Sequence, residues 1–166
     1  MKVVALSPSH NRRSFSCGND QLDEYLRTKA SQHQRVAANQ TYVGVVDDAV
    51  VGFVTVSVVT MRREQVGPER RKLPPQPLPV LLLARLGVDK ASQSQGRGQT
   101  LLKHVFRLAR QISAAVGCVG VFVDSKPTAV GWYQKLGFVT LGDPVGGLTP
   151  MFLSISGIPD ERQEIG

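Results

Sequence analysis

Residues 80–102, VLLLARLGVDKASQSQGRGQTLL, are the stretch whose reading decides the fold. Val80 to Val88 is apolar on both faces, as a central strand covered on both sides would be. The segment that follows holds Ser94, Gly96 and Gly98, with no acidic residue among them. From there the apolar residues Leu101, Leu102, Val105, Leu108, Ala109 and Ile112 share one helix face, while Lys103, Arg107 and Arg110 lie on another. A buried strand, a glycine loop and a helix are therefore predicted in succession. At the start of such a helix the first N–H groups lack backbone partners and the positive end of the dipole faces outward, a ready site for phosphate oxygens. On two glycines alone, a plain tight turn fits as well.

Downstream, Cys118 to Val123 reads as a second buried strand. Pro127 suits the first turn of a helix that runs to Leu136 and is closed by Gly137. Phe138 to Leu141 and Pro150 to Ile155 complete the sheet. Upstream, Lys2 to Leu6 is a short strand. Asn19 caps a helix with Leu22, Tyr25, Leu26 and Ala30 on one face and its end near Arg35. Thr41 to Val46 and Val50 to Val59 are rich in β-branched residues and flank Asp47-Asp48-Ala49, which reads as a hairpin. Met61 to Pro79 is proline-rich and charged, and reads as a loop. The order β-α-β-β-β-α-β-α-β-β predicts a three-layer α/β or α+β domain.

A chain of 166 residues, 42% of them hydrophobic, is the size of one domain spanning 1–166. No charged leader or apolar run of membrane-spanning length is present, so the cytoplasm is expected and no membrane partner. Cys17 and Cys118 have no metal-ligand spacing, and no metal site is expected. Lys and Arg outnumber Asp and Glu by 20 to 13, net +7, which favours a polyanionic partner, nucleic acid or an acidic protein. The loop is not a GxxxxGK[ST] motif, and Leu101 occupies the third glycine position of a dinucleotide GxGxxG. An ATPase and a simple dehydrogenase are thus unsupported.

Gln93 to Gly98 fits Q/R-x-x-G-x-G/A, and about thirty residues on AVGWYQKLGFV gives an aromatic-Tyr-x-x-x-Gly-Phe ending. Together they resemble the GNAT family of acetyl-CoA-dependent N-acetyltransferases. The resemblance implies a mostly antiparallel sheet of six to seven strands with helices on both faces and a splayed strand pair that binds acetyl-CoA. It assigns Leu86, Gly87 and Val88 to the pantetheine, and Gln93, Ser94, Gln95, Gly96, Arg97, Gly98, Gln99 and Thr100 to the pyrophosphate. It makes Tyr133 the general acid for the departing thiolate.

FSCGNDQLDEYLRTKASQHQR, TYVGVVDD and PLPVLLLARLGVDKASQSQGRG narrow the likeness further. They resemble GNAT-type toxins of bacterial toxin-antitoxin pairs, which carry FxCGxxxLDxxL, TYV and LGRLxVDxxxQGxG. That class acetylates the α-amino group of aminoacyl-tRNA and stops translation. Its usual antitoxin is a ribbon-helix-helix protein, and homodimers occur. The chain departs from the pattern with LAR for LGR, Ser94 in place of an aromatic and Trp132 in place of Phe.

Attack of an amine on a thioester requires a neutral amine and a protonated leaving sulfur. Val80 to Val88 contains no Asp, Glu or His to serve as base. An α-amino group titrates near about pH 8, lower beside an ester, so it needs a base less than a lysine does. Glu64 or a water relay remains open as a base. Basic residues fall in three sets: Arg62, Arg63, Arg70, Arg71 and Lys72; Lys103, Arg107 and Arg110; and Arg12, Arg13, Arg27, Lys29 and Arg35. Arg70, Arg71, Lys72, Lys103 and Arg107 are the candidates for tRNA phosphates. His33 and His104 are expected on helix surfaces. The competing readings are a GNAT enzyme for a small amine, an antibiotic or a protein N-terminus, and a non-catalytic coenzyme A or antitoxin-binding module.

Overall fold

The computed structural model describes residues 1–67 and 72–159. The strands are β1 Lys2–Ala5, β2 Gln40–Val46, β3 Ala49–Met61, β4 Leu78–Val88, β5 Gly120–Ser125, β6 Val139–Thr140 and β7 Thr149–Ser154. The helices are α1 Asp20–Glu24, α2 Ala30–Arg35, α3 Arg97–Ala115 and α4 Val130–Lys135. One sheet of seven strands has the hydrogen-bonded order β1-β2-β3-β4-β5-β7-β6. β4 pairs parallel with β5, whereas β1 with β2, β2 with β3, β5 with β7 and β6 with β7 are antiparallel. This is the mixed α/β architecture expected, with chain crossovers supplied by the helices. None of the described helices is long and apolar enough to cross a membrane.

Two compact units form, Met1–Ser57 with Leu83–Arg107, and Val58–Leu82 with Leu108–Gly166. In the first, Asp47 and Asp48 take φ of +48° and +64°, so a tight turn of two left-handed residues joins β2 to β3, and β3 starts at Ala49. The register slips between Gly44 and Val45, a bulge on β3 at Val51. Asn19 caps α1 by accepting from the Leu22 N–H at 3.2 Å. The expected helix reaches Arg35, but a π-helical turn, Tyr25–Lys29, separates α1 from α2. Leu6, Phe15, Tyr25, Leu26, Ala30, Val43, Val50 and Phe53 make its core, with Phe15 edge-on to Phe53 at 5.6 Å.

In the second unit, Val66, Leu78, Val80 and Phe152 are packed with Val59, Met61 and Phe122. β4 pairs with β5 at Leu81↔Val121 and Leu82↔Phe122, then runs on to Val88. The expected loop from Met61 to Pro79 is shorter than read. β3 continues through Met61, Arg63–Gln65 is a 3-10 turn, and β4 starts at Leu78. Pro79 is tolerated near the strand start, where its carbonyl still accepts from the Val119 N–H at 2.9 Å. Cys118, read as the first residue of a strand, precedes it; β5 begins at Gly120. A Cβ at Gly120 would run into the Leu153 carbonyl and the Phe152 ring, so only glycine fits there.

Candidate active site

The glycine loop is mounted on the N-terminal segment of the first unit. Asp89 accepts from the Ala91 N–H and the Ser16 N–H, each at 3.0 Å, and its own N–H donates to the Val51 carbonyl at 2.9 Å. The Lys90 N–H donates to the Ser16 carbonyl at 2.8 Å. Gln93 Nε2 donates to the carbonyls of Cys17 and Val88, both at 3.0 Å. Its side chain is therefore the loop's anchor, leaving the Gln93 backbone for any ligand. Asp23, buried in α1, accepts from the Cys17 N–H at 2.9 Å and fixes the same segment from the helix side. Burial, and next the contact with Asp23, push the Cys17 thiol up to about 11, so it is protonated and not nucleophilic.

Above this base the backbone turns outward. Ser94 and Gly96 take φ of +63° and +73°, the left-handed region. α3 starts at Arg97, and its first return bond runs from the Thr100 N–H to the Gly96 carbonyl at 3.1 Å. The N–H groups of Arg97, Gly98 and Gln99 precede that bond and have no carbonyl of the helix to meet. A Cβ at Gly96 would meet no atom within 4 Å, and no acidic residue occupies the first turn. Exposed Gln93, Ser94, Gln95 and Gly96 thus surround a concentration of backbone donors open to an anion. This donor set fits a diphosphate.

The remaining expected loop residues divide by role. Arg97 lies against Gln95 Oε1 at 3.1 Å, and the Thr100 hydroxyl donates to the Gly96 carbonyl at 3.1 Å. Leu86 and Val88 are half-buried, with backbone at the end of β4. Gly87 is buried, and a Cβ there would press on the Phe53 ring and on Cys17 Sγ, so a larger residue would have to shift that ring by a few tenths of an ångström.

In the second unit, Pro127–Ala129 forms a 3-10 turn that leads into α4, which carries Trp132 and Tyr133. Tyr133 is 5% exposed, its ring edge-on to Trp132 at 4.9 Å and to Phe138 at 5.2 Å. Burial pushes its phenol well above the ordinary tyrosine value, so the hydroxyl keeps its proton throughout the physiological range. It can donate a proton and is a poor base.

The basic residues are less uniform than the sequence implies. Lys72, Lys103 and Arg107 are exposed, while Arg70 and Arg71 lie outside the described residues. Arg12 Nη1 instead donates to the Leu26 carbonyl and Ser31 Oγ, Arg27 to the Phe15 carbonyl, and Arg110 to the carbonyls of Ile158 and Pro159. These three hold loops and the C-terminal segment, a use the charge pattern does not distinguish from a contact surface. Glu64 is exposed and 3.9 Å from Arg63. The histidines are not simple surface groups either. His33 Nδ1 is 3.1 Å from the Tyr25 hydroxyl, and the His104 ring packs 4.3 Å from Tyr42 with a buried, unpartnered Nε2. Burial and then Arg107 lower the His104 pKa, so it is neutral.

Fold and loop define a class, and the chain belongs to it: a model of the acetyltransferase (GNAT) domain matches residues 37–140. The protein is an acetyl-CoA-dependent N-acetyltransferase. It is 30% identical over 120 residues to a tRNA-acetylating toxin of Mycobacterium tuberculosis, covering 72% of each chain. Among solved structures it is similar to a tyrosine-to-phenylalanine variant of KacT, with TM-score 0.85 and 26% identity over 93% of this chain and 95% of that one. The fold is likewise shared with AtaT complexed with acetyl-methionyl-tRNAfMet, at TM-score 0.84 and 24% identity over the same shares. A tyrosine-to-phenylalanine variant of AtaT bound to the C-terminus of the antitoxin AtaR aligns at TM-score 0.78 and 24% identity, over 93% of each chain.

Proposed function

We propose that this enzyme is a toxin that acetylates the α-amino group of aminoacyl-tRNA, so that the charged tRNA can no longer support translation. The reading is carried by the similarity to the tRNA-acetylating toxin across 72% of both chains. It is supported by the net charge of +7, which suits a polyanionic acceptor. Residues 1–166 act in it as one catalytic domain in the cytoplasm. A ribbon-helix-helix antitoxin neutralises the enzyme, and two copies form the working dimer.

Bound acetyl-CoA supplies a thioester already activated for acyl transfer. The N–H groups of Arg97, Gly98 and Gln99 hold the diphosphate, and the backbone of Leu86, Gly87 and Val88 aligns the pantetheine. The acceptor nitrogen bonds to the acetyl carbon as the carbon–sulfur bond breaks, the amine sheds a proton to water, and Tyr133 gives its phenolic proton to the sulfur. Tyr133 regains a proton from solvent. An α-amino group of low pKa enters neutral without a carboxylate base, which matches a β4 strand devoid of Asp, Glu and His.

The test is transfer of labelled acetyl from acetyl-CoA to bulk charged tRNA, with uncharged tRNA and small amines as controls. Wild type labels only charged tRNA, and Tyr133→Phe loses about 10²- to 10⁴-fold in kcat while the acetyl-CoA Kd is kept. Label on small amines alone would overturn the reading.

A further inference from the structure

Arg85 is the single charged residue in the apolar run Val80 to Val88. Isolated charge in a strand of this kind is normally matched by a carboxylate or a carbonyl. Among the described residues the Arg85 guanidinium makes no hydrogen bond and no ion pair. It is held instead by a ring: Cζ lies 3.6 Å from the centroid of Tyr25. The side chain is half-buried, so its forked donors are pre-set in position and not free to sweep through solvent.

The tyrosine beneath it is itself locked. Tyr25 is buried, and its hydroxyl contacts His33 Nδ1 at 3.1 Å and accepts from Asn39 Nδ2 at 3.0 Å. It opens the π-helical turn, where the Ala30 N–H returns to the Tyr25 carbonyl; such turns are frequent at functional sites. Asn39 Oδ1 is buried and meets no donor, an unsatisfied acceptor inside the same network. All of these groups belong to the first unit, and Arg85 stands on the β4 segment that leads to Leu86 and Val88. The stacked ring steadies the guanidinium while, among the described residues, its N–H groups have no partner and are available to an anion.

We propose that Arg85, seated on Tyr25, binds a phosphate of the acceptor's terminal nucleotide and thereby positions the aminoacyl end for transfer. This rests on the aminoacyl-tRNA reading above. The carboxyl of the amino acid is esterified there, so the backbone phosphates are the anions the acceptor end offers, and a guanidinium fork matches them with two parallel hydrogen bonds. Tyr25 and its partners His33 and Asn39 are positioning residues, since they act through Arg85.

The experiment compares charged tRNA with two small acceptors, 3′-aminoacyl-adenosine with and without a 5′-phosphate, on wild type, Arg85→Gln and Arg85→Lys. Calorimetry of acetyl-CoA binding runs on the same samples, and circular dichroism with a thermal melt shows separately that each variant is folded. Wild type is expected to favour the phosphorylated analogue about 10- to 100-fold in kcat/KM, mainly through KM, as for hydrogen bonds to a charged group. Arg85→Gln should erase that preference and leave the acetyl-CoA Kd unchanged, with Arg85→Lys between the two. Acetylation of charged tRNA without any phosphate preference overturns this proposal alone. So does a preference that survives in Arg85→Gln, or a variant that loses acetyl-CoA instead, which would assign Arg85 to a coenzyme phosphate. Failure of wild type to label charged tRNA removes the parent reading and this one with it.

Discussion

In Tyr133 burial does two things at once, fixing the ring between Trp132 and Phe138 and holding the phenolic proton more firmly. Its pKa is raised by burial, so at each pH the phenolate fraction is smaller than for a free tyrosine of pKa about 10. The sign sets a pH profile. kcat/KM should rise as the acceptor amine loses its proton, with a midpoint near or below about pH 8, and then stay level to about pH 10. A descending limb centred below pH 9 that vanishes in Tyr133→Phe would show that the phenol titrates too early for this role. Tyr133 was legible in the sequence because its neighbours in the chain, Trp132, Gly137 and Phe138, form a local motif. Arg85 and Asp89 stand in the motif that ends in the glycine loop, but their contacts were not legible. Asp89 is joined to Ser16 and Arg85 to Tyr25, partners far away in the chain, and no local pattern announces either contact.

Two glycines separate what an element needs for stability from what it offers a ligand. Gly96 has open space around its Cα but a left-handed φ of +73°. Gly96→Ala should bend the loop away from that conformation at a cost of about 1–2 kcal/mol. Calorimetry should show weaker acetyl-CoA binding, with a thermal midpoint lowered by only a few degrees. Gly120 is the opposite case, with the Leu153 carbonyl and Phe152 ring against it. Gly120→Ala should destabilise by about 1–3 kcal/mol, a fall of roughly 3–10 °C in Tm, while acetyl-CoA affinity at the temperature of assay is unchanged. An unaltered Tm would mean that β5 and β7 can part at little cost. The strand–loop–helix order was readable because its periodicities are local, and so were the caps at Asn19 and Gly137. The π-helical turn and the bulge at Val51 were not, since each is an irregularity fixed by what packs beside it.

At the scale of the whole molecule, net charge favours a polyanion but does not say which cations meet it. Replacing Arg70, Arg71 and Lys72 together by glutamine should weaken tRNA binding and reduce its salt slope by about 2–3, with acetyl-CoA binding intact. Identical slopes for variant and wild type would remove that segment from the interface. The sequence by itself determined the order of elements, the glycine loop between β4 and α3, and the place of Tyr133 in a short helix closed by Gly137, because hydrophobic period, glycine placement and a motif are properties of neighbouring residues. Only the tertiary structure decided which of many similar arginines are spent on carbonyls, as Arg12, Arg27 and Arg110 are, and that Arg85 is stacked on a tyrosine. It also decided that FSCGND is the footing of the loop, through Asp23, Asp89 and Gln93. The physical reason is that a hydrogen bond or a stacked ring depends on distance in space, and residues that the sheet brings together carry no mark of it in the order of the chain.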